Sequence, residues 1–151
     1  MDQIETNNIA PDRVIISQRV FNSPLATVFK AWTDPMHLAK WWGPKGFTNT
    51  FHEYDLQPGG HWKFTMHGPE NGHYENECVF MEIVPNTKLH WDRISKPHFQ
   101  VLVNFSEERN GTKVVFNMIF NTVEESDKLR NFVPEKNEEN FDRLEEELSK
   151  M

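Results

Sequence analysis

SPLATVFKAWTDPMHLAKWWGP, residues 23–44, is the stretch that decides the fold, because it contains two helix starts and one helix stop. Ser23-Pro24 has the form of an N-cap followed by a proline at the first helical position, and Asp34-Pro35 repeats that signal. Gly43-Pro44 ends the second helix, since glycine favours the position after a helix and proline cannot continue it. The pattern therefore predicts two short helices in succession.

Each of these helices has an apolar stripe that another part of the chain must cover. The apolar residues recur at the i, i+3, i+4 and i+7 spacing of one helical face. They are Leu25, Val28, Phe29 and Trp32 in the first helix and Leu38, Trp41 and Trp42 in the second. Such short helices cannot bury these stripes by themselves, so the rest of the sequence must supply the surface that receives them.

The remaining sequence predicts one strand before the helices, about six antiparallel strands after them and a long C-terminal helix. A β-branched run extends from Val14 to Phe21, and after Phe47 apolar and polar residues alternate. Thr122 opens a capping-box pattern, after which the periodicity is helical again. The final segment, residues 135–150, has an apolar seam and is long enough to cross a sheet.

The first predicted hairpin turns at residues 57–60, and its register depends on the length of the loop. A two-residue loop, Pro58-Gly59, would place apolar side chains opposite acidic ones. A three-residue loop, residues 58–60, with a glycine in the left-handed region is therefore preferred. In this register Trp62, Phe64 and Met66 face Leu56, Tyr54 and His52, and Lys63 lies opposite Asp55.

Asn110-Gly111 predicts a second hairpin, because a two-residue turn of this type needs positive φ at both positions. One face of the resulting hairpin is uniformly apolar. The predicted pairs are Phe105 with Phe116, Val103 with Met118, Val101 with Phe120 and Glu108 with Lys113.

Composition limits the class of protein. The chain has 151 residues, a formal net charge of −7 and one cysteine. We expect one domain, residues 12–151, after a disordered leader, residues 1–11. An acidic chain is a poor partner for nucleic acid, and the single Cys78 excludes an intramolecular disulfide. No signal peptide and no apolar window of about 18 residues occur, which predicts a cytoplasmic protein without membrane insertion.

A set of motifs extends over nearly the whole chain after residue 11. They are FNSP at 21–24, AWTDP at 31–35, WWGP at 41–44, YDLQPGGHWKF at 54–64, EIVP at 82–85 and FDRL at 141–144. Together they resemble the activator of ninety-kilodalton heat-shock protein ATPase homologue-like family, part of the START-like (SRPBCC, birch-pollen-allergen-like) helix-grip superfamily. The resemblance implies an α+β fold in which a curved antiparallel sheet of about seven strands wraps around a long C-terminal helix.

Two positions depart from the family pattern. A glycine often follows the tyrosine of the fourth strand, where this chain has Tyr74-Glu75, and the final helix commonly carries Gly-Trp, where this chain has Asn140-Phe141. Both changes would reshape a cavity between the sheet and the last helix. For this reason a relative's ligand is not carried over to this chain.

The resemblance implies an apolar pocket lined by aromatic side chains. The predicted ligand-binding residues are Trp41, Trp42, His52, Tyr54, Trp62, Phe64, Met66, Trp91, Phe116, Met118, Asn137 and Phe141. The simpler interpretation of each ring is that it only fills the core. No metal site, cofactor or catalytic residue is predicted, because the histidines lack the spacing of known metal-binding motifs.

Three functions stay open. The first is non-enzymatic binding of a small lipophilic or aromatic ligand. The second is a co-chaperone-like role in the stress response, in which the partner is a heat-shock chaperone whose ATPase activity is stimulated. The third is a cyclase or hydrolase that uses His52 or a pocket carboxylate such as Glu82 as acid or base. The enzyme ranks last, because the catalytic groups do not cluster in the sequence.

Overall fold

The computed structural model describes residues 10–151, which contain an antiparallel sheet of seven strands. The strands are β1 (Val14–Phe21), β2 (Thr48–Tyr54), β3 (His61–His67), β4 (His73–Val84), β5 (Lys88–Arg93), β6 (Phe99–Glu108) and β7 (Gly111–Ile119). Their order is β1-β7-β6-β5-β4-β3-β2, which leaves β1 and β2 at the two edges. The predicted α+β class and number of strands are confirmed.

Four α-helices accompany the sheet: α1 (Leu25–Thr33), α2 (Pro35–Trp41), α3 (Val123–Leu129) and α4 (Val133–Leu148). The Asp34 carboxylate caps α2 by accepting a hydrogen bond from Met36 N at 2.9 Å. Thr122 and Glu125 form the predicted capping box at the start of α3. By contrast, α1 begins one residue later than predicted, with Pro24 at the N-cap position.

The chain before β1 is described only in part. Residues 1–9 of the predicted leader lie outside the described residues, and Pro11 begins a short 3-10 helix, Pro11–Arg13, that leads into β1. Within residues 10–151, no helix has both the length and the apolar character needed to cross a membrane.

Helix α4 packs on the apolar face of the sheet and runs along β1. Phe141, Leu144 and Leu148 of α4 are buried, and the Phe141 ring meets the Phe21 ring edge-on with centroids 5.6 Å apart. On the outer side of this contact, Arg19 of β1 forms ion pairs of 2.7–2.9 Å with three carboxylates of α4. These are Glu138, Asp142 and Glu145. Apolar and charged contacts therefore hold α4 to the same edge strand.

The predicted register of the β2–β3 hairpin was wrong. Tyr54 pairs with Trp62, whereas Phe51 pairs with Phe64, so one extra residue of β2 lies between them. The extra residue is the β-bulge at His52, and it lets the apolar side chains on both sides of it face the core. Lys63 accordingly lies 3.7 Å from Glu53 and not opposite Asp55. The loop is longer than three residues, and Gly59 adopts a φ of +82° within it.

The β6–β7 hairpin is shifted by two residues from the predicted register. Val103 pairs with Phe116, and Val101 with Met118. Because side chains alternate between the two faces with a period of two, this shift changes every partner but leaves the apolar face apolar. The error therefore does not alter which residues face α4.

The turn of this hairpin explains the shift. Arg109-Asn110 forms the turn, with Arg109 at a φ of +56°, and Gly111 is the first residue of β7. A Cβ atom at Gly111 would collide with the carbonyl oxygen of Phe21. The glycine is therefore needed for the close approach of β1 and not for the turn itself.

Candidate functional site

A cavity of about 230 Å³ lies between the sheet and the N-terminal part of α4. The sheet contributes Phe64, Met66, Cys78, Trp91, Arg93, Phe99, Val101, Phe116 and Met118; the α2–β2 connection contributes Trp42, Gly43 and Pro44; α4 contributes Val133, Lys136, Asn137 and Asn140. Pockets for drug-sized ligands start at roughly 300 Å³. The size of this cavity therefore suits a bicyclic aromatic compound or a short aliphatic chain.

The structure brings seven of the twelve predicted site residues together on the cavity wall. They are Trp42, Phe64, Met66, Trp91, Phe116, Met118 and Asn137. The other five lie elsewhere: Trp41, Tyr54, Trp62 and Phe141 in the core, and His52 on the opposite face of the sheet. Sequence alternation identified the inner face of the strands but did not separate cavity wall from filled core.

Hydrogen bonds hold two of these rings in the core. The indole Nε1 of Trp41 donates to the carbonyl oxygen of Ala31 at 2.9 Å. The Tyr54 hydroxyl donates to the carbonyl oxygen of Thr33 at 2.7 Å, and burial raises the pKa of Tyr54. Both acceptors belong to α1, so Trp41 joins α2 to α1 and Tyr54 joins β2 to α1.

The predicted place of His52 beside Met66 was wrong. The bulge directs the imidazole to the outer face, where Nε2 lies 2.7 Å from Thr65 Oγ1 and half of the side chain is exposed. Glu82, the other proposed acid or base, forms a 2.9 Å ion pair with Lys88. Neither His52 nor Glu82 is among the residues that line the cavity.

Arg93, at the end of β5, is the main cavity residue that sequence analysis missed. Its Nε donates to Pro97 O at 3.1 Å, its Nη2 to Lys96 O at 3.0 Å and its Nη1 to Asn76 Oδ1. Burial lowers the pKa of Arg93 from its usual value. Strand alternation with Trp91 could have placed Arg93 on the inner face, but a basic residue at a strand end is ordinarily interpreted as solvated.

Cys78 lies in the cavity wall, paired across the strands with Arg93. Its thiol is buried, and this burial raises its pKa to about 12. Because the thiolate is the nucleophile, we expect iodoacetamide at mildly alkaline pH to alkylate the native protein ~100-fold more slowly than the urea-unfolded protein. The rate of the native protein should keep rising with pH above the pKa of an ordinary thiol, where the rate of the unfolded chain levels off. Equal rates for the native and unfolded chains, measured by mass spectrometry, would contradict the buried position.

A single arginine fixes one wall of the cavity. The guanidinium of Arg143, in α4, donates to five backbone carbonyls at 2.8–3.2 Å. One acceptor is Lys40, in the last turn of α2, and the others belong to the α2–β2 connection: Trp42, Gly43, Pro44 and Phe47. Partial burial lowers the pKa of Arg143. The wall formed by Trp42, Gly43 and Pro44 is therefore attached to the helix that closes the cavity.

Other parts of the surface are less suited to binding an apolar ligand or a metal ion. A groove of about 390 Å³ between α2, β2 and α4 is lined mainly by polar and charged side chains, including Lys40, Glu146 and Lys150. Within residues 10–151, histidine, cysteine and acidic side chains do not converge in a group of three that could hold a metal ion. The apolar cavity is therefore the candidate functional site.

The profile of the family described as "Activator of Hsp90 ATPase homolog 1-like protein" matches residues 22–149. The chain belongs to this family. The match spans both the α2–β2 connection and α4, which enclose the cavity on the side away from the sheet. A search of the curated proteins finds no significant match.

Solved structures of similar shape support the same arrangement. A crystal structure of a Nitrosomonas europaea protein has a TM-score of 0.87 at 23% identity, covering 94% of this chain and 97% of that one. A solution structure from Arthrobacter aurescens has a TM-score of 0.84 at 20% identity, covering 93% and 88%. A Mycobacterium smegmatis protein gives 0.82 at 19% identity, covering 92% of each chain. At these identities the likeness shows the fold, and it confirms the predicted helix-grip arrangement.

In this member of the Activator of Hsp90 ATPase homolog 1-like family, Asn140 of α4 contributes to the cavity wall. Asn140 Nδ2 donates to Trp41 O at 2.9 Å, and its Oδ1 accepts from Gly43 N at 3.3 Å. An amide side chain thus stands beside the cavity and binds the α2–β2 connection.

Proposed function

We propose that the chain binds a small aromatic or otherwise lipophilic molecule in the cavity between the sheet and α4. The observation that supports this function is the composition of the wall, to which Trp42, Phe64, Trp91, Phe99 and Phe116 all contribute. Aromatic rings give large contact areas to a flat ligand. A mainly apolar wall with a few polar groups is typical of small-molecule sites.

The volume of the cavity also favours binding over a purely structural role. Protein interiors are packed to nearly the density of organic crystals, and an unfilled cavity reduces stability. The rest of this core is closely packed, with Trp62 stacked on Phe64 at a centroid distance of 4.4 Å. A space of about 230 Å³ beside such a core is expected to be retained for an occupant.

The test is an amide proton–nitrogen correlation spectrum recorded during separate titrations with indole, naphthol and naphthaleneacetamide, which are neutral. We expect saturable shifts in β3, β5, β7 and the first turns of α4, the elements that border the cavity. Shifts distributed over the whole surface, or no shifts with any of the three compounds, would argue against the pocket.

A cavity-filling substitution gives a sharper prediction. Val133→Phe, at the first residue of α4, is expected to weaken binding of the neutral probes at least ~tenfold, because the added ring occupies space at the cavity wall. Val133 is half-buried and lines the cavity. Isothermal titration calorimetry measures the change.

Val123→Phe is the matched control for this substitution. Val123 is also half-buried at the first residue of a helix, α3, but it lies outside the cavity wall. The affinity of the Val123→Phe variant for the probes should stay within about twofold of the affinity of the unmodified protein. Equal effects of the two substitutions would show that helix packing, and not occupation of the cavity, controls the binding.

Family membership favours a second candidate, a co-chaperone-like role. The family is named for an activator of the Hsp90 ATPase, and its profile covers residues 22–149 of this chain. If this candidate is right, adding the protein to the heat-shock ATPase of the same organism raises the steady-state rate of phosphate release. An unchanged rate at saturating protein would remove this candidate and leave the ligand-binding proposal untouched.

A further inference from the structure

The charged residues on the cavity wall are positive, whereas the net charge of the whole chain is negative. The sequence contains 23 acidic and 16 basic residues. Among the described residues that line the cavity, however, Arg93 and Lys136 are the charged ones, and aspartate and glutamate are absent. The residues that line the cavity therefore include two cations and no anion, although the chain as a whole is acidic.

Arg93 has only neutral partners within the described part of the chain. Its guanidinium donates to one side-chain amide oxygen and two backbone carbonyls, and it lies 5.5 Å from the centre of the Phe99 ring. Among the described residues it forms no ion pair. Arg19, the arginine of β1, by contrast has three carboxylate partners within 3 Å. A half-buried charge without a counter-ion is costly, and an anionic ligand would remove that cost.

The hydrogen bonds of the Arg93 guanidinium leave two of its N–H groups for such a ligand. Arginine has five N–H donors in a planar fork, and the three partners of Arg93 use one donor on each of its nitrogens. One N–H remains on each terminal nitrogen. Two such donors suit the bidentate recognition of a carboxylate. Lys136 adds a second positive charge at the rim of the cavity; its side chain is 58% exposed and lies 3.8 Å from Glu139, an i,i+3 pair that solvent screens.

We propose that the ligand is a small aromatic or aliphatic monocarboxylic acid, with its carboxylate at Arg93 and its apolar body against Phe64, Trp91 and Phe116. This inference rests on the proposed function, because it specifies the class of ligand for the same cavity. Arg93 fixes the orientation of the ligand, and Lys136 attracts the anion to the open side. The aromatic walls supply most of the contact area.

The experiment compares naphthaleneacetate with naphthaleneacetamide, which have the same size and shape and differ in charge. Calorimetric titration of the unmodified protein should give at least tenfold tighter binding for the acetate, and added salt should reduce that preference. Arg93→Met should abolish the preference by weakening the acetate at least tenfold while the affinity for the amide stays the same. Arg93→Lys, which keeps the charge but loses the fork, should retain part of the preference.

Arg13→Met is the control, because it removes an arginine that donates to two backbone carbonyls and does not line the cavity. It should leave the preference for the acetate unchanged. Equal affinities of the unmodified protein for the two compounds would overturn the anion site while the pocket itself stands. Binding of neither compound would overturn both the pocket and the anion site. If Arg93→Met weakens both compounds alike, Arg93 shapes the cavity and does not recognise the anion. The salt dependence of the unmodified protein decides the question even if Arg93→Met fails to fold.

Discussion

Replacing Trp32 with alanine is expected to lower the free energy of unfolding by about 4 kcal/mol. Trp32 is 2% exposed and lies at the centre of the aromatic core. Five rings surround it at centroid distances of 4.7–6.4 Å. They belong to Trp41, Trp42, Trp91, Phe105 and Phe116. Since domains are stable by only about 5–15 kcal/mol, the variant should retain a small margin, which urea denaturation followed by circular dichroism measures.

Trp32→Phe is the matched control for this prediction. It keeps an aromatic ring in the same place and removes an indole N–H that has no hydrogen-bond acceptor among the described residues. No hydrogen bond is lost, so we expect a cost of about 1–2 kcal/mol from the reduced volume. If alanine proved no more destabilising than phenylalanine, Trp32 would not be the centre of the packing.

Arg143→Met is expected to lower the free energy of unfolding by about 3 kcal/mol. The substitution removes four hydrogen bonds to the α2–β2 connection and one to Lys40 of α2. Bonds to a charged donor contribute roughly 1.5–3 kcal/mol each, but several of these carbonyls can bind water after the change. The cost is therefore smaller than the sum of the individual bonds, and thermal and urea denaturation should both report it.

The control for Arg143→Met is Lys150→Met. Lys150 lies near the C-terminal end of the same helix, is largely exposed and makes only a 3.5 Å i,i+4 pair with Glu146. Its removal should cost less than about 0.5 kcal/mol. Arg143→Lys should fall between the two, because one ammonium cannot reach five carbonyls. If Arg143→Met lost no more stability than Lys150→Met, the hydrogen bonds of Arg143 would be worth no more than the bonds that the same carbonyls can make with water.

The helices and strands were largely predictable because their signals are local. Asp34 and Thr122 cap their helices as their sequence context predicts. The registers of the two hairpins were harder to predict, because they depend on contacts between residues that are distant in the sequence. The bulge at His52 and the close approach of Gly111 to Phe21 both arise from packing against another element. The error in the β6–β7 register did not change which side chains lie on the inner face of the sheet. The error in the β2–β3 register placed His52 on the inner face, whereas it lies on the outer one.

The candidate site was predictable in character and only partly in detail. Alternation correctly placed aromatic side chains on the face that α4 covers. It could not show that Trp62 is enclosed by the core whereas Phe64, two residues later, lines the cavity. That difference depends on which part of the sheet α4 and the α2–β2 connection cover. Arg93 was missed for a different reason. Its significance comes from its lack of a counter-ion among the described residues, which only three-dimensional contacts reveal.

The attachment of α4 has a consequence for the rate at which molecules enter and leave. Arg19 and Arg143 hold the helix through residues 138–145. Its first turn, residues 133–136, precedes all of these attachments, contains a proline and borders the cavity. The first turn is thus the part of this covering helix that neither arginine holds. Unwinding one turn would cost far less than detaching the whole helix, so we expect an occupant to exchange at this end. Residence time and global stability can therefore vary independently in this fold.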